Sequence, residues 1–473
     1  MMSKDDLVDG VNFIFTECHR LQEFMAEDIK SIGNDDAFCM LPHPGGRGHM
    51  ICGRNAYREL QKMAAYASQR AGMQQRVALD KVTNVLGDVL VARFLGQRLP
   101  IDIRQIDLAF NAAIKEATKK VADRTHFVPC HLMSASEPSE LAIGPVSFLN
   151  RKSFRRFIRH TRSQQRGLQK AQKDHKLARD LLYGGLIYYR SFDWVAKVDV
   201  NGCDEKEGDR LAKRTVTAAL DCLHLILGGG STDRMKVGGP RISTDRRAKL
   251  RMSPDGELHT SASRSWMGQV GFREGWSKHL LRDEVQQIFF LCGVSLEAAV
   301  NPDLKRPLSR RFLDATLWYG QGVREESPAA SVVKFVTALE RMLMTEERED
   351  IGNLLAERLS AICTIAYQGQ NYKTRQEWFV ETKKAYNLRS KLVHGSMSPE
   401  SAEVTKGVYS CMKLTEAALR SLVCLLNEKE LRQEKLSSKQ LAKMFDAMVV
   451  TANGIENLTS SETAPSEVST ALR

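Results

Sequence analysis

Thr374-Arg-Gln-Glu377-Trp378-Phe-Val380-Glu-Thr-Lys-Lys-Ala385-Tyr386-Asn-Leu388-Arg389-Ser390-Lys-Leu392-Val-His394-Gly395 carries its own start and stop signals. Thr374 followed three residues later by Glu377 is a capping box, and Gly395 supplies the left-handed residue on which helices end. The spacing predicts one helix, with Trp378, Val380, Ala385, Leu388 and Leu392 as its apolar positions. Arg389 and His394 lie five residues apart at its end, a rise of about 7.5 Å and a turn of about 140°. A guanidinium is a permanent fork of donors that matches a phosphate, and an imidazole moves protons near neutral pH. The pair has the makings of phosphodiester chemistry. The plain alternative is a solvated arginine and a histidine that caps carbonyls.

The neighbouring sequence repeats the helical pattern. Ser327-Pro328 is a cap with proline at the first helical position and opens Val332, Val333, Val336, Leu339 and Leu343; Ile351–Ile365 gives another helix; Ser398-Pro399 is read as the start of a helix through Val404, Val408, Met412, Leu419, Leu422 and Leu426. Short connections between four such helices predict an antiparallel bundle.

The segment from about Ser309 to Glu428 resembles a HEPN domain of the Apea-like subgroup. The likeness is carried by Arg311-Phe-Leu-Asp-Ala-Thr-Leu-Trp318-Tyr319, by Val332-Val-Lys-Phe-Val-Thr-Ala-Leu-Glu340-Arg-Met-Leu343 and by the Tyr386–Gly395 block. More weakly, Thr125-His-Phe-Val-Pro-Cys130 and Ile143-Gly-Pro-Val-Ser-Phe148 resemble the amino-terminal half of bacterial proteins that end in such a domain. The resemblance implies a four-helix bundle and a metal-independent endoribonuclease. It makes Arg389 and His394 the catalytic pair, with Glu340, Ser390 and Tyr386 in support and a homodimer that sets two motifs face to face. It further implies a role in phage defence or growth arrest, with the amino-terminal half sensing a phage or cellular trigger. The position after the arginine, often Asn, Asp or His in active members, is Ser390, and the tyrosine that some relatives carry two positions beyond the histidine is Ser396. Two other readings use the same bundle, a catalytically silent RNA-binding or dimerisation scaffold and a sensor of a nucleotide ligand.

At 473 residues the chain exceeds one core. We divide it into a mostly helical module (1–150), with one helix read from Val77 to Leu95 and a short strand pair at Phe127-Val128 and Leu141–Phe148, a basic helix with a mixed α/β region (151–300), the HEPN-like bundle (301–430), and a terminal helix followed from Ala452 by a polar tail expected to be disordered (431–473). The expected fold class is mainly α with minor β. No apolar run spans a bilayer, the start lacks a signal-peptide core, and ten cysteines without Cys-x-x-Cys spacing suit a reducing compartment, so a cytoplasmic location is expected.

The net charge of +12 calls for an anionic partner, which the resemblance makes RNA. Arg151–Arg179 holds eleven Lys or Arg against one acid, Asp174, with bases around most of a helix. Arg155, Arg156, Arg159 and Arg162 are RNA-contacting candidates there, and the alternative is a helix charged for solubility. Leu186–Val200 alternates like strands, and Ser253-Pro-Asp-Gly256 marks a hairpin on a basic segment that contains Arg246 and Arg247, further phosphate-contacting candidates. Cys39, His43, His49 and Cys52 are zinc-ligand types within fourteen residues, but their spacing matches no standard finger, so no metal or cofactor is assigned.

Overall fold

In the computed structural model the described residues are 2–27, 39–133, 135, 137–169, 175–238, 244–254, 258–266, 275–345, 350–370 and 372–462. The fold is mainly α with minor β. The chain divides into two compact units: Met1–Arg124 with Val200–Leu211, and Thr125–Asp199 with Ala212–Arg473.

The first unit is built on helix periodicity. Helix α1 (Lys4–Glu27) buries Leu7, Val11, Ile14, Phe15 and Cys18, a stripe at three- and four-residue steps. It packs with β2 (His49–Cys52), α2 (Arg54–Arg70) and α4 (Ile103–Thr118), and the same core takes in β1 (Cys39–Pro42), the hairpin partner of β2, and α3 (Leu79–Leu90). The helix expected from Val77 to Leu95 begins at Leu79 and widens after Leu90 into a π-helical turn, Val91–Gly96. That turn sends Val91 and Phe94 into the core, where Phe94 meets Phe15 edge-on at 6.4 Å. The returning segment 200–211 is tied in by buried Asp204, which accepts the Ala78 N–H at 2.9 Å and the Glu207 N–H at 2.8 Å.

Strands β3 (Ala122–His131), β4 (Glu140–Ile143), β5 (Val146–Asn150), β6 (Trp194–Cys203) and β7 (Lys236–Val237) form a sheet in the order β4-β5-β6-β3-β7, the second unit holding β3 from Thr125 and β6 as far as Asp199. The expected pair between Phe127-Val128 and the Leu141–Phe148 stretch is therefore not a pair. The latter folds on itself as β4 and β5, and β6, buried through Trp194, Val195, Ala196 and Val198, lies between β5 and β3. Helices α5 (Arg151–Gln169) and α6 (His175–Tyr189) precede β6, so the alternation read from Leu186 onward is helix to Tyr189 and strand only from Trp194. Helix α7 (Glu205–Leu227) leads to the paired strands β8 (Thr244–Met252) and β9 (Leu258–Trp266), in register from Thr244↔Trp266 to Met252↔Leu258; Asp255 and Gly256 of the expected turn lie outside the described residues.

The carboxy-terminal helices are α8 (Asp283–Val300), α9 (Pro307–Val323), α10 (Pro328–Leu343), α11 (Ile351–Ala366), α12 (Arg375–Val393), α13 (Ala402–Leu425), α14 (Glu428–Arg432) and α15 (Ser438–Glu462). Helix α10 sits among α9, α11, α12 and α13 and buries Val332, Phe335, Val336, Leu339, Met342 and Leu343. Arg311, early in α9, donates to the Met342 carbonyl late in α10, whereas Gly322, late in α9, lies against Phe335, so the two run antiparallel. Early Gly352 of α11 against late Tyr386 of α12, and late Leu388 of α12 against early Gly407 of α13, give the same sense twice more. Helix α13 starts three residues later than Ser398-Pro399 suggests, because Ser401 is the residue whose side chain accepts the Val404 N–H. The tail expected from Ala452 is helix to Glu462, and Ala452 itself is buried.

The turn between β4 and β5 sets the sheet against α8. Gly144 has φ of +53°, and a Cβ placed there would lie 2.4 Å from the Gly293 carbonyl oxygen. Left-handed strain and a backbone collision then add. Gly144→Ala is expected to lower stability by about 2 kcal/mol or more in urea unfolding; an unchanged midpoint would show that this close approach is absent.

Candidate functional site

Helix α12 forms as its caps dictate. The Glu377 N–H donates to Thr374 Oγ1 at 3.2 Å and the Thr374 N–H donates to Glu377 Oε2 at 2.7 Å, a complete capping box. One stripe, Trp378, Thr382, Ala385 and Leu388, is buried in the bundle. At the other end the Gly395 N–H donates to the Leu392 carbonyl and the Ser396 N–H to the Lys391 carbonyl, with Gly395 at φ of +72°. This is a Schellman cap, and it explains Gly395 and Ser396 without reference to catalysis.

The cap leaves His394 as the C-cap residue, with its backbone N–H on the Ser390 carbonyl and its side chain exposed. Its imidazole has no hydrogen-bond partner among the described residues. Arg389 lies at the edge of the buried stripe, with its side chain 23% exposed, and reaches across to α10. There its Nη2 donates to Glu340 Oε2 at 3.0 Å, while its Nε is buried without a hydrogen-bond partner. Burial pushes the Glu340 carboxyl above its ordinary range, and the Arg389 charge only partly offsets this. The expected partner of Arg389 is thus in contact with it. Tyr386 and Ser390 are half-buried; Tyr386 packs where a Cβ on Gly352 would lie 2.8 Å away, and Ser390 offers its carbonyl to the cap.

Of the basic candidates, Arg155, Arg156 and Arg159 are exposed on α5 with no carboxylate partner among the described residues. The side chains of Arg162, Arg246 and Arg247 lie outside the described residues. Helix α5, read as carrying bases around most of its circumference, keeps an apolar face: Phe154 is buried and Phe157, Ile158 and Thr161 are half-buried, a stripe at i, i+3, i+4 and i+7 that turns toward the sheet. Phe154 and Phe157 are packing residues, each within ring-contact distance of Phe127. Arg155 and Arg159 share a cleft with Leu186, Tyr189 and Arg190. Those last three were missed because the segment reads as strand; the three-residue step from Leu186 to Tyr189 was the available signal.

The amino-terminal Cys/His set is not drawn together. His43 and His49 are exposed in the β1–β2 hairpin, with His43 Nδ1 accepting the Gly45 N–H at 3.1 Å, while Cys52 is buried with its thiol toward Cys18. The Cys39 side chain lies outside the described residues, among which no three His, Cys, Asp or Glu side chains converge as metal ligands. No described helix is long and apolar enough to cross a membrane.

The raised Glu340 carboxyl fixes the sign of a pH effect. Near its ordinary value of 4.5 the unfolded chain loses this proton first, so the folded state loses stability as pH rises from there through the folded-state value. Glu340→Gln removes that loss. In urea unfolding between about pH 4 and pH 7 the variant is expected to gain on the wild type as pH rises; the opposite slope would show that attraction to Arg389 outweighs burial.

Compared with known proteins, the chain matches no family model, no curated protein and no solved structure.

Proposed function

We propose that the chain is a metal-independent endoribonuclease of HEPN type that acts as a homodimer. The observation that carries this reading is the pairing of a guanidinium held from a second helix by Glu340 with an exposed imidazole five residues further on, at a rigidly capped helix end. In the proposed reaction His394 takes the proton from a ribose 2'-hydroxyl. The 2'-oxygen attacks phosphorus, the bond from phosphorus to the 5'-oxygen breaks, and the departing oxygen takes a proton from His394 of the second subunit. Arg389 holds the phosphate and offsets the negative charge that grows on its oxygens. The products are a 2',3'-cyclic phosphate and a 5'-hydroxyl. One imidazole does not flank both sides of the scissile bond, which is the chemical reason for a two-fold pair. The biological setting we propose is phage defence or growth arrest, with the remainder of the chain restraining the nuclease until a trigger arrives.

A second reading, a silent RNA-binding scaffold, draws on the same contact. With Glu340 at 3.0 Å, one edge of the Arg389 fork is already occupied. Purified chain incubated with RNA separates the two. On the nuclease reading, the wild type yields fragments ending in 2',3'-cyclic phosphate, and His394→Ala lowers the rate by about 10²–10⁴-fold with helix content unchanged, since His394 is exposed. Undiminished cleavage by His394→Ala removes the assignment, and RNA binding without cleavage by the wild type favours the scaffold.

A further inference from the structure

Between α5 and the end of α6 lies a cleft of about 330 Å³. This is the low end of the range for small-molecule sites, about 300–1,000 Å³. Its wall is apolar and aromatic, made by Phe154, Ile158, Leu186, Tyr189 and Phe192, and its rim is cationic, made by Arg151, Arg155, Arg159 and Arg190. Both features follow from the sequence of α5. Phe154 and Ile158 belong to the stripe that turns to the sheet, and Arg151, Arg155 and Arg159, each four residues apart, form an adjacent ridge with about 6 Å of rise per step.

The wall is held firmly. The Tyr189 ring stacks on Phe154 with centroids 5.5 Å apart and planes 25° apart, and its hydroxyl donates to the Phe127 carbonyl at 2.5 Å. Phe192 is buried, with Tyr188 and His131 against its ring. These aromatics cannot rotate away without losing those contacts, so the cleft has a preformed side suited to a flat apolar group.

The four guanidiniums are not equivalent. Arg151 donates through Nε to the Phe192 carbonyl at 3.1 Å and pairs with Asp193 at 2.9 Å, which makes it part of the frame. Arg190 lies over the Tyr183 ring at 5.7 Å. Arg155 and Arg159 are exposed and have no carboxylate partner among the described residues. Two uncompensated like charges one helical turn apart repel each other, and an anion bound between them relieves that repulsion. Guanidinium forks favour phosphate oxygens, which they bind bidentately.

We propose that this cleft binds one nucleotide, its base against the wall formed by Ile158, Leu186 and Tyr189 and its phosphates on Arg155 and Arg159. A planar aromatic group joined to a phosphate is the ligand chemistry that uses both halves of the cleft at once. A free nucleotide and one nucleotide of an RNA strand share that chemistry; the small volume of the cleft matches the free nucleotide. The site does not rest on the nuclease reading, because binding is measured without cleavage and with His394 intact.

Calorimetric titration of the full chain tests it, with ATP, GTP, inorganic tripolyphosphate and a six-nucleotide RNA as probes. A nucleoside triphosphate is expected to bind at least tenfold more tightly than tripolyphosphate, and Arg155→Ala/Arg159→Ala to weaken it at least tenfold with an unchanged thermal midpoint. Leu186→Ala is expected to weaken the nucleotide but not tripolyphosphate. Tighter binding of the free nucleotide than of the hexamer supports a small effector; a hexamer that binds more tightly, still dependent on Arg155 and Arg159, supports an RNA strand as the source of the nucleotide. Equal affinity for tripolyphosphate overturns the base-binding half, and an unaffected double variant overturns the site.

Discussion

Glu340 is a carboxylate on a helix packed on four sides by its neighbours, and it must be answered. Helix α10 buries eight apolar residues among four neighbours, and on such a helix an ionised group without a partner is strongly destabilising. Arg389 answers it from α12. The same device recurs around the bundle. Arg324 pairs at 2.6 Å with Asp221 of α7, whose carboxyl burial pushes up to about 7, and fully buried Arg358 of α11 donates to the Leu343 carbonyl and reaches Asp446 of α15. Buried ion pairs of this kind are weak sources of stability compared with apolar packing, and their better-founded role is to fix register. Sliding α12 by one turn would keep apolar residues facing the core but strand both Glu340 and Arg389. The pair therefore sets which residues of α12 lie at the bundle's edge, and with them where the helix end falls.

Beyond that end, local chemistry shapes the chain. Gly395 permits the left-handed turn, Ser396 closes it, and His394 is left outside as the last residue before the reversal. The separation of Arg389 and His394 thus has two independent causes, a long-range ion pair at one position and a helix cap at the other. A motif with fixed spacing arises here from two constraints that happen to act on the same helix.

That division also marks how far the sequence could be read. The capping box at Thr374, the Ser327-Pro328 start of α10 and the stop at Gly395 are signals contained within a few residues, and each lies where its residues say. Glu340 was tied to Arg389 only through a resemblance, since nothing within either helix names the other. Helix α5 misled because its apolar stripe is thin: Phe154, Phe157, Ile158 and Thr161 suffice to dock it, while the arginines around them dominate any count of charge. The strands failed for the opposite reason. Their alternation was visible, but the insertion of β6 between β5 and β3 is a property of topology, and the run from Leu186 hides a change from helix to strand. The cleft formed by α5 and α6 inherits both errors, which is why its arginines were seen and its walls were not.

The two proposed cationic sites differ in compensation, and on that proposal this would order their encounter with phosphate. Arg155 and Arg159 meet solvent with no carboxylate partner among the described residues, so an approaching anion gains the attraction of both. Arg389 presents a fork already engaged by Glu340, and a phosphate there must share the guanidinium or displace the carboxylate. Burial biases Glu340 toward its neutral form, which makes it a weaker competitor than an exposed carboxylate in the same contact. A second negative charge beside Glu340 strengthens that bias, so phosphate arrival and carboxylate protonation favour each other. A guanidinium held in place by a group that yields when phosphate arrives is pre-oriented without being fully neutralised.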